Sequence, residues 1–505
     1  MGNRPLYSGF GVLAVLVGVA AGHLVAALTA PASSPVLVVG STVIDLTPTP
    51  LQEWAIKHFG VHDKTVLVGS VMVGVVVLAA VGGLLSRRRL GYGTGLLVGL
   101  VAIPVGAALG RPGSPVSDVL PSVVAGVVGV GSLWWLWWLP STRVRVRSGG
   151  TGPSRRGLLV AAGSLAAAGV VMGGAGRWIT SYRTRTTSVD LPATTDPAPP
   201  FPRTLDDRVP GITPLRTPTG DFYRVDTRLS LPIVDAGDWT LTIDGDVARE
   251  VSFTFDDLLA MPLIERDITL TCVSNEVGGR YVGGARWLGV RLTDLLERAG
   301  IGDTSADQIL STDVDGMTIS TPLSVATDGR DAMIAVGMNG RSLPREHGFP
   351  ARMVVPGLYG FVGACKWITR MTLTTYAEQD AYWTDRDWAT DAPIKLSSRV
   401  DTPKPLSTVG PGRTVIGGIA WAQHQGGVER VEVRVDGGDW QRARLGPSLG
   451  ADYWRQWYLP WTAETGRHTI ACRAIAGDGT VQTADRATPF PDGSSGIQEI
   501  VVNVG

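Results

Sequence analysis

Ser154-Arg155-Arg156-Gly157-Leu158-Leu159 decides the architecture, because the chain reads differently on its two sides. Residues before about 140 are apolar with few charges, and those after about 180 have the mixed composition of a water-facing protein. The string opens one last apolar segment. It resembles a twin-arginine export signal, the kind that moves folded, cofactor-loaded domains across a membrane. The second half is therefore expected to be filled in the cytoplasm and to work outside it.

On the N-terminal side, a helix of about 20 apolar residues spans a bilayer. Five candidate spans stand at 8–29, 65–85, 92–110, 119–139 and 157–177. Arg87, Arg88 and Arg89 follow the second, and Arg143, Arg145, Arg147, Arg155 and Arg156 follow the fourth. Cytoplasmic loops concentrate such cations, so the N-terminus is expected inside and the second half outside a plasma membrane crossed several times. Pro35–Asp45 is too short to span and reads as re-entrant or interfacial. The run Trp134-Trp135-Leu136-Trp137-Trp138 reads as an interfacial anchor in lipid. Haem ligation would need histidines facing each other on neighbouring spans. Of His23, His58 and His62 only His23 lies inside one, so anchoring is the expected role, with haem or quinone binding left open.

The 505 residues carry 45 basic and 45 acidic side chains, so no global charge points to nucleic acid. Three cysteines, Cys272, Cys365 and Cys472, make no disulfide framework. Cys472 lies in an alternating strand pattern and reads as a buried core thiol. Residues 1–180 form the expected transmembrane helical domain and 181–220, rich in Pro, Thr and Asp, an extended flexible linker. From 221 to 398 short strands alternate with short helices, an α+β pattern. Trp239–Asp244 is expected as a strand ending at Asp244-Gly245. Thr254–Met261 is expected as a helix capped by Thr254. Ile268–Thr271 is a strand whose end delivers Cys272, and Leu292–Ala299 a helix capped near Thr293 and stopped by Gly300. Regular strands separated by Gly and Pro turns from 399 to 505 suggest an immunoglobulin-like β-sandwich.

Cys272 is followed by the polar, glycine-rich Val273-Ser274-Asn275-Glu276-Val277-Gly278-Gly279, which lets backbone approach a bulky ligand. A thiolate is a soft donor for a transition metal. Downstream lie Leu343-Pro344-Arg345-Glu346-His347-Gly348-Phe349-Pro350-Ala351-Arg352, then Val354-Val355-Pro356-Gly357 and Lys366-Trp367. With Cys272 these stretches resemble the sulfite oxidase family of molybdenum enzymes, over about residues 220–505. The resemblance implies molybdenum held by a pterin dithiolene, with Cys272 as metal ligand. It implies that His347 and Arg352 hold the pterin and its phosphate, and that Ala364, Cys365 and Lys366 line its tail. Asp315, in preference to Asp313, matches an acidic pterin contact. Arg224 matches an arginine near substrate and pterin, and the family's active-site tyrosine falls near Trp388. The C-terminal domain resembles the family's dimerisation domain, with Trp454-Arg455-Gln456-Trp457 matching a string there; that implies a homodimer.

The resemblance also implies oxygen-atom transfer with a small oxyanion or sulfur-containing substrate. Electrons would pass to a separate carrier or quinone, because the soluble half shows no haem, iron–sulfur or nucleotide motif. The family follows its metal cysteine with an Asn-Arg-Arg run, whereas here Glu276 and Val277 follow Asn275. That weakens a pocket for a dianion, with Arg280, Arg286 or Arg224 as candidate compensators. Two other readings stand beside sulfite oxidation: reduction of sulfoxides on the same fold, and a non-catalytic exported interaction module. The last would predict loss of Cys272 or of the pterin-binding string.

Overall fold

The computed structural model describes residues 4–48, 51, 54–55, 58–59, 62–111, 115–139, 155–184 and 188–505. Arg143, Arg145, Arg147 and Ser154 of the expected cytoplasmic cluster lie outside them, as do the side chains of Arg155 and Arg156. The chain divides into two compact units, Met1–Thr186 with Asp226–Ile233, and Thr187–Val225 with Val234–Gly505.

The first unit is helical: α1 (Arg4–Leu28), α2 (Pro35–Leu46), α3 (Asp63–Ser86), α4 (Leu90–Leu109), α5 (Leu120–Trp138) and α6 (Arg155–Arg183). Five helices among the described residues are long and apolar enough to cross a membrane, and α2, as expected, is not. Small residues on α1 let backbones touch: Gly11 abuts Ala79 and Gly83 of α3, and Gly18 abuts Ala125 and Gly129 of α5. Any side chain at Gly11 or Gly18 would meet a backbone carbonyl of the facing helix. Two of the tryptophans expected as anchors also bond within the bundle: Trp134 Nε1 donates to Thr94 Oγ1 (2.8 Å) and Trp137 Nε1 to the Ser86 carbonyl (3.0 Å). The segment Asp226–Ile233 joins this unit through Lys64, whose ammonium donates to the Asp226 and Arg228 carbonyls, both at 2.7 Å.

The second unit begins with the stretch expected as a flexible linker, and here the expectation fails. Residues 188–225 are extended but packed. Thr195 N donates to the Leu263 carbonyl (3.0 Å), and the Asp196 carboxylate pairs with Arg266 and Arg291. Leu205, Val209 and Ile212 form a buried cluster against Val415 and Tyr458. The Leu215 carbonyl accepts from Tyr453 Oη and Trp454 Nε1. Apolar residues at irregular spacing bury themselves without helix or strand, so no period betrays them.

A mixed sheet and an antiparallel one follow. One carries Val251–Thr254, Thr240–Gly245, Ile368–Thr374, Gln308–Asp313 and Thr318–Pro322 in that order; its one parallel pair is Thr240–Gly245 with Ile368–Thr374. The other runs Leu263–Thr271, Val282–Arg291, Met333–Met338 and Arg341–Ser342, with Arg352–Val354 also paired to Met333–Met338. The helix Phe255–Ala260 forms because Thr254 and Asp257 make a reciprocal capping box, a device contributing about 1 kcal/mol. The helix Leu292–Ala299 ends at Gly300 in the left-handed region (φ +77°), as expected. Its start differs: Arg291 occupies the cap position, and a guanidinium, which has no acceptor, cannot cap the first turn; Leu292 N donates to the Ala332 carbonyl instead.

From Ser397 the chain forms two further sheets. The first is ordered Ser397–Thr402, Gly412–Trp421, Arg455–Ala463, Arg444–Leu445. The second is ordered Thr408–Val409, Gln498–Val504, Gly466–Ala476, Val428–Val435, Gln441–Arg442. Ile416, Ala420 and Trp457 of one meet Val431, Ile470, Cys472 and Val502 of the other in a common core. Cys472 is fully buried, as expected, and burial pushes its thiol up to about 12.

Candidate active site

The strand Leu263–Thr271 pairs antiparallel with Val282–Arg291, and their connection carries Cys272. Cys272 N donates to the Tyr281 carbonyl (2.9 Å), and Asn275 Oδ1 accepts from Tyr281 N (2.8 Å), which fixes the loop. The thiol is buried. Burial pushes it up, while the Ser274 N–H and hydroxyl and the Lys366 ammonium favour the thiolate. Among the described residues no three His, Cys, Asp or Glu side chains converge as an all-protein metal site.

The string 343–352 supplies the opposite wall. A short 3-10 turn, Arg345–His347, ends at Gly348, and the strand Arg352–Val354 follows. Gly348 has φ +107°, and a Cβ there would stand 3.1 Å from the Cβ atoms of both Arg352 and Lys366. Glycine thus lets these two cations lie side by side, which the bridge between Arg352 and Lys366 maintains.

Arg352 is 5% exposed, and among the described residues no carboxylate pairs with it. Its guanidinium donates only to the carbonyls of Met353 (3.4 Å), His347 (3.2 Å) and Ala364 (3.3 Å) and lies 5.1 Å from the Trp287 ring centre. Burial lowers it to about 10. His347 Nε2 bonds the Thr219 carbonyl (3.1 Å); burial, and then Arg352, lower its imidazole to about 4, so it is neutral at pH 7. Lys366 Nζ reaches the Val225 carbonyl (3.3 Å) and lies over Trp367. Trp367 donates to the Arg345 carbonyl (2.8 Å), and its own carbonyl accepts from Val314 N (3.0 Å). That bond attaches the Asp313–Gly316 turn to the cationic wall. Within the turn Asp313 is buried and accepts from Asp315 N and Met317 N, whereas Asp315 is exposed. Cys365 is buried, and its neighbour Ala364 contributes its carbonyl to Arg352.

Cys272, His347, Arg352, Lys366 and the backbone of Ala364 and Cys365 are thus brought to one place. Arg224 is exposed beside Arg345, a second buried arginine whose pKa is lowered by burial and, less, by Arg224. Arg345 and Tyr223 were not singled out from sequence, although Arg345 lies inside the string 343–352 and Tyr223 immediately precedes Arg224. Burial raises the Tyr223 phenol, the adjacent Cys272 adds to this, and Arg352 opposes it. Trp388 packs with Phe361, Trp383 and Phe490, centres 5.3–5.8 Å apart. Phe361 belongs to the turn Gly360–Gly363, whose first residue faces Tyr223 Oη and the Thr271 carbonyl. Arg286 does not compensate for the lost cations. Its guanidinium is held by Asp267 (2.7 Å), the Pro199 carbonyl (2.6 Å) and the face of Phe201.

A buried Arg352 with no carboxylate paired to it among the described residues fits a phosphorylated, anionic ligand, and charge-assisted bonds to it would be strong ones. A single buried thiol fits a metal whose remaining donors come from that ligand.

Residues 228–383 match the family model described as the oxidoreductase molybdopterin binding domain. Mitochondrial sulfite oxidase of Rattus norvegicus is 32% identical over 315 residues, covering 53% of this chain and 57% of that protein. The Homo sapiens enzyme is 32% identical over 323 residues, 54% of this chain and 58% of its own length. Nitrate reductase [NAD(P)H] of Hordeum vulgare is 28% identical, with 35% of its length covered. The chain therefore spans little more than half the length of the sulfite oxidases it matches. The crystal structure of the sulfane dehydrogenase SoxCD from Paracoccus pantotrophus superposes with a TM-score of 0.51 at 25% identity, covering 58% of this chain and 84% of that one. Residues 228–383 thus carry a molybdopterin-binding oxidoreductase domain, and around it the chain is similar to sulfite oxidases over about half its length.

Proposed function

We propose that the chain is a membrane-anchored oxidoreductase that transfers an oxygen atom to or from a small sulfur compound outside the cytoplasm. The observation that carries this reading is a buried Cys272 thiol and a buried Arg352, ion-paired with no carboxylate among the described residues, both acting on the same Tyr223 phenol. Cys272 binds molybdenum. Arg352, His347 and Lys366 hold the pterin and its phosphate, with backbone from Ala364 and Cys365 and the turn that carries Asp315. When bound, the cofactor supplies two-electron oxygen-atom transfer. The chain fixes its position, excludes water with Tyr223, Phe361 and Tyr359, a buried phenol raised by burial and in part by Cys272, and meets substrate with Arg224, Arg345 and, further out, Trp388. The Tyr223 phenol, whose pKa is raised by burial and by Cys272 and lowered by Arg352, orients an oxygen of the substrate.

Sulfite as substrate draws support from the relatives' names. Reduction of sulfoxides is the second reading, and it gains from Arg286 being held by Asp267 and from Glu276 standing exposed on the metal loop. A non-catalytic module loses ground because Cys272 and the whole 343–352 string are retained. The C-terminal double sheet acts as an immunoglobulin-like dimerisation domain. The apolar helices anchor the chain in the plasma membrane, and electrons leave through a separate carrier or a quinone. To test the direction, purified protein is offered sulfite with an artificial acceptor, and methyl sulfoxides with a reduced dye. Turnover of either at ordinary rates of about 1–10³ per second supports the proposal and selects the reading. Loaded enzyme inert towards both refutes it.

A further inference from the structure

The loop 272–281 that carries Cys272 contains two successive turns. Asn275 N donates to the Cys272 carbonyl (3.0 Å), and Gly279 N to the Glu276 carbonyl (2.7 Å). Beyond those bonds the loop is gripped by the C-terminal double sheet. Arg399, on the strand Ser397–Thr402, donates through Nη1 to the Gly279 carbonyl (2.7 Å). Its Nε donates to Asp401 Oδ1 and its Nη2 to Thr213 Oγ1, each at 2.7 Å. Asp401 is fixed in turn, since its Oδ2 accepts from Thr213 N (2.9 Å). The side chains of Arg399 and Asp401 are only 12% and 7% exposed. A second bond comes from Ser494, whose Oγ donates to the Asn275 carbonyl (2.5 Å). Gly278, at φ +79°, lies so close to the Gln498 amide that an added Cβ would stand 2.4 Å from its Nε2. Gln498 Oε1 accepts from Val400 N (2.6 Å), the neighbour of Arg399.

We propose that Arg399 is the positioning residue of the metal thiolate: with Ser494 as a second point of attachment, it keeps the Cys272 loop closed and the sulfur in one place before the cofactor arrives. The inference rests on Cys272 as the metal ligand, proposed above, and gives the C-terminal sheets a task besides dimerisation. A guanidinium suits that task. Its donors point in fixed directions, and with two of them held by Asp401 and Thr213 the third is aimed at the Gly279 carbonyl. A charge-assisted bond of this kind is about twice as strong as a neutral one, so the far end of the loop is the better held. Cys272 is the ligand that the chain supplies, so play in its loop becomes play in the metal–sulfur bond. The pterin is held from a different wall, residues 343–366. Cutting the strut should therefore loosen the sulfur and the metal and leave the pterin in place.

Thiol labelling reads the strut without turnover. The full chain, made without cofactor synthesis and kept in detergent, is treated with iodoacetamide at one fixed pH, and peptide mass spectrometry gives the rates at Cys272 and Cys472. Cys472 is the internal control, because it is fully buried and its sulfur accepts from Ser398 Oγ (3.3 Å), the neighbour of Arg399. Arg399→Met is combined with Asp401→Asn so that no unpaired carboxylate is left buried. The pair is expected to label Cys272 about 10-fold faster, and Ser494→Ala, which loses a neutral bond, about 3-fold faster, with Cys472 unchanged in both. A folded Arg399→Met/Asp401→Asn chain in which Cys272 labels no faster, or in which Cys472 accelerates with it as in a merely loosened fold, overturns the proposal. If that chain does not fold, the same two outcomes in Ser494→Ala decide. Made with cofactor synthesis, the variants should retain about 10-fold less molybdenum at equal pterin, and pterin lost in proportion contradicts the strut. A parent chain that binds neither overturns the proposed function, while the labelling, done without cofactor, still decides whether Arg399 holds the loop.

Discussion

Replacing Arg352 by Met should separate the cost of the buried guanidinium from its use. Arg352 is buried, and among the described residues it bonds to three carbonyls and to no carboxylate. Its folded pKa, about 10, lies below the ordinary 12.5. The sign follows directly: the unfolded chain holds the proton more tightly, so the penalty is fully present at pH 7 and is relieved only as pH rises past about 10. That depression corresponds to about 3 kcal/mol against the cofactor-free fold. Losing three carbonyl bonds and the stacking on Trp287 returns about 2 kcal/mol, since methionine leaves those carbonyls unpaired. Cofactor-free Arg352→Met is therefore expected to match the parent or exceed it by about 1 kcal/mol, some 2 °C in the melting of the soluble half. With cofactor the order reverses. Loss of a charge-assisted, forked contact should lower pterin affinity by about 100-fold, and Arg352→Lys, which keeps charge but not the fork, by less. The assay is thermal unfolding of protein made with and without cofactor synthesis, together with bound pterin per chain. A cofactor-free Arg352→Met that melts more than 5 °C below its parent would refute the reasoning.

Other outcomes follow from the same geometry. Gly348→Ala places a Cβ 3.1 Å from those of Arg352 and Lys366 at φ +107°; it should cost about 2 kcal/mol and lower pterin content, read by melting and metal analysis. His347, lowered to about 4, leaves stability intact above its unfolded value of 6.5 and drains it as pH falls from there to about 4; His347→Gln should flatten that part of a pH–melting profile. Arg155→Lys with Arg156→Lys should strand the second half in the cytoplasm, seen as lost protease access from outside intact cells.

Much of the site was legible because its chemistry is local in sequence. Cys272 closes a strand whose alternation is clear, and His347 and Arg352 sit in one ten-residue string that the chain folds into a single wall. The Thr254 cap and the Gly300 stop were readable for the same reason: each is decided within four residues. What escaped depends on distant partners. Residues 188–225 carry no period, and their burial comes from Tyr453, Trp454 and Gln456 far along the chain. Arg286 looked available until Asp267, 19 residues away on the paired strand, was found holding it. Tyr223 carried no signal of its own, since only folding brings its phenol beside Cys272 and Arg352. Thr293 was plausible as a cap by residue type, but the helix begins at Leu292 and Arg291 takes the cap position.

The central claim is that one sulfur and one buried guanidinium hold a pterin-bound metal. Metal and pterin analysis of the full chain, purified from cells that build the cofactor, tests it most directly when Cys272→Ser is run beside the parent. The account predicts molybdenum and pterin equimolar with the parent chain, and pterin with little or no retained molybdenum in Cys272→Ser. Equal molybdenum in both proteins, or none in the parent, would contradict it.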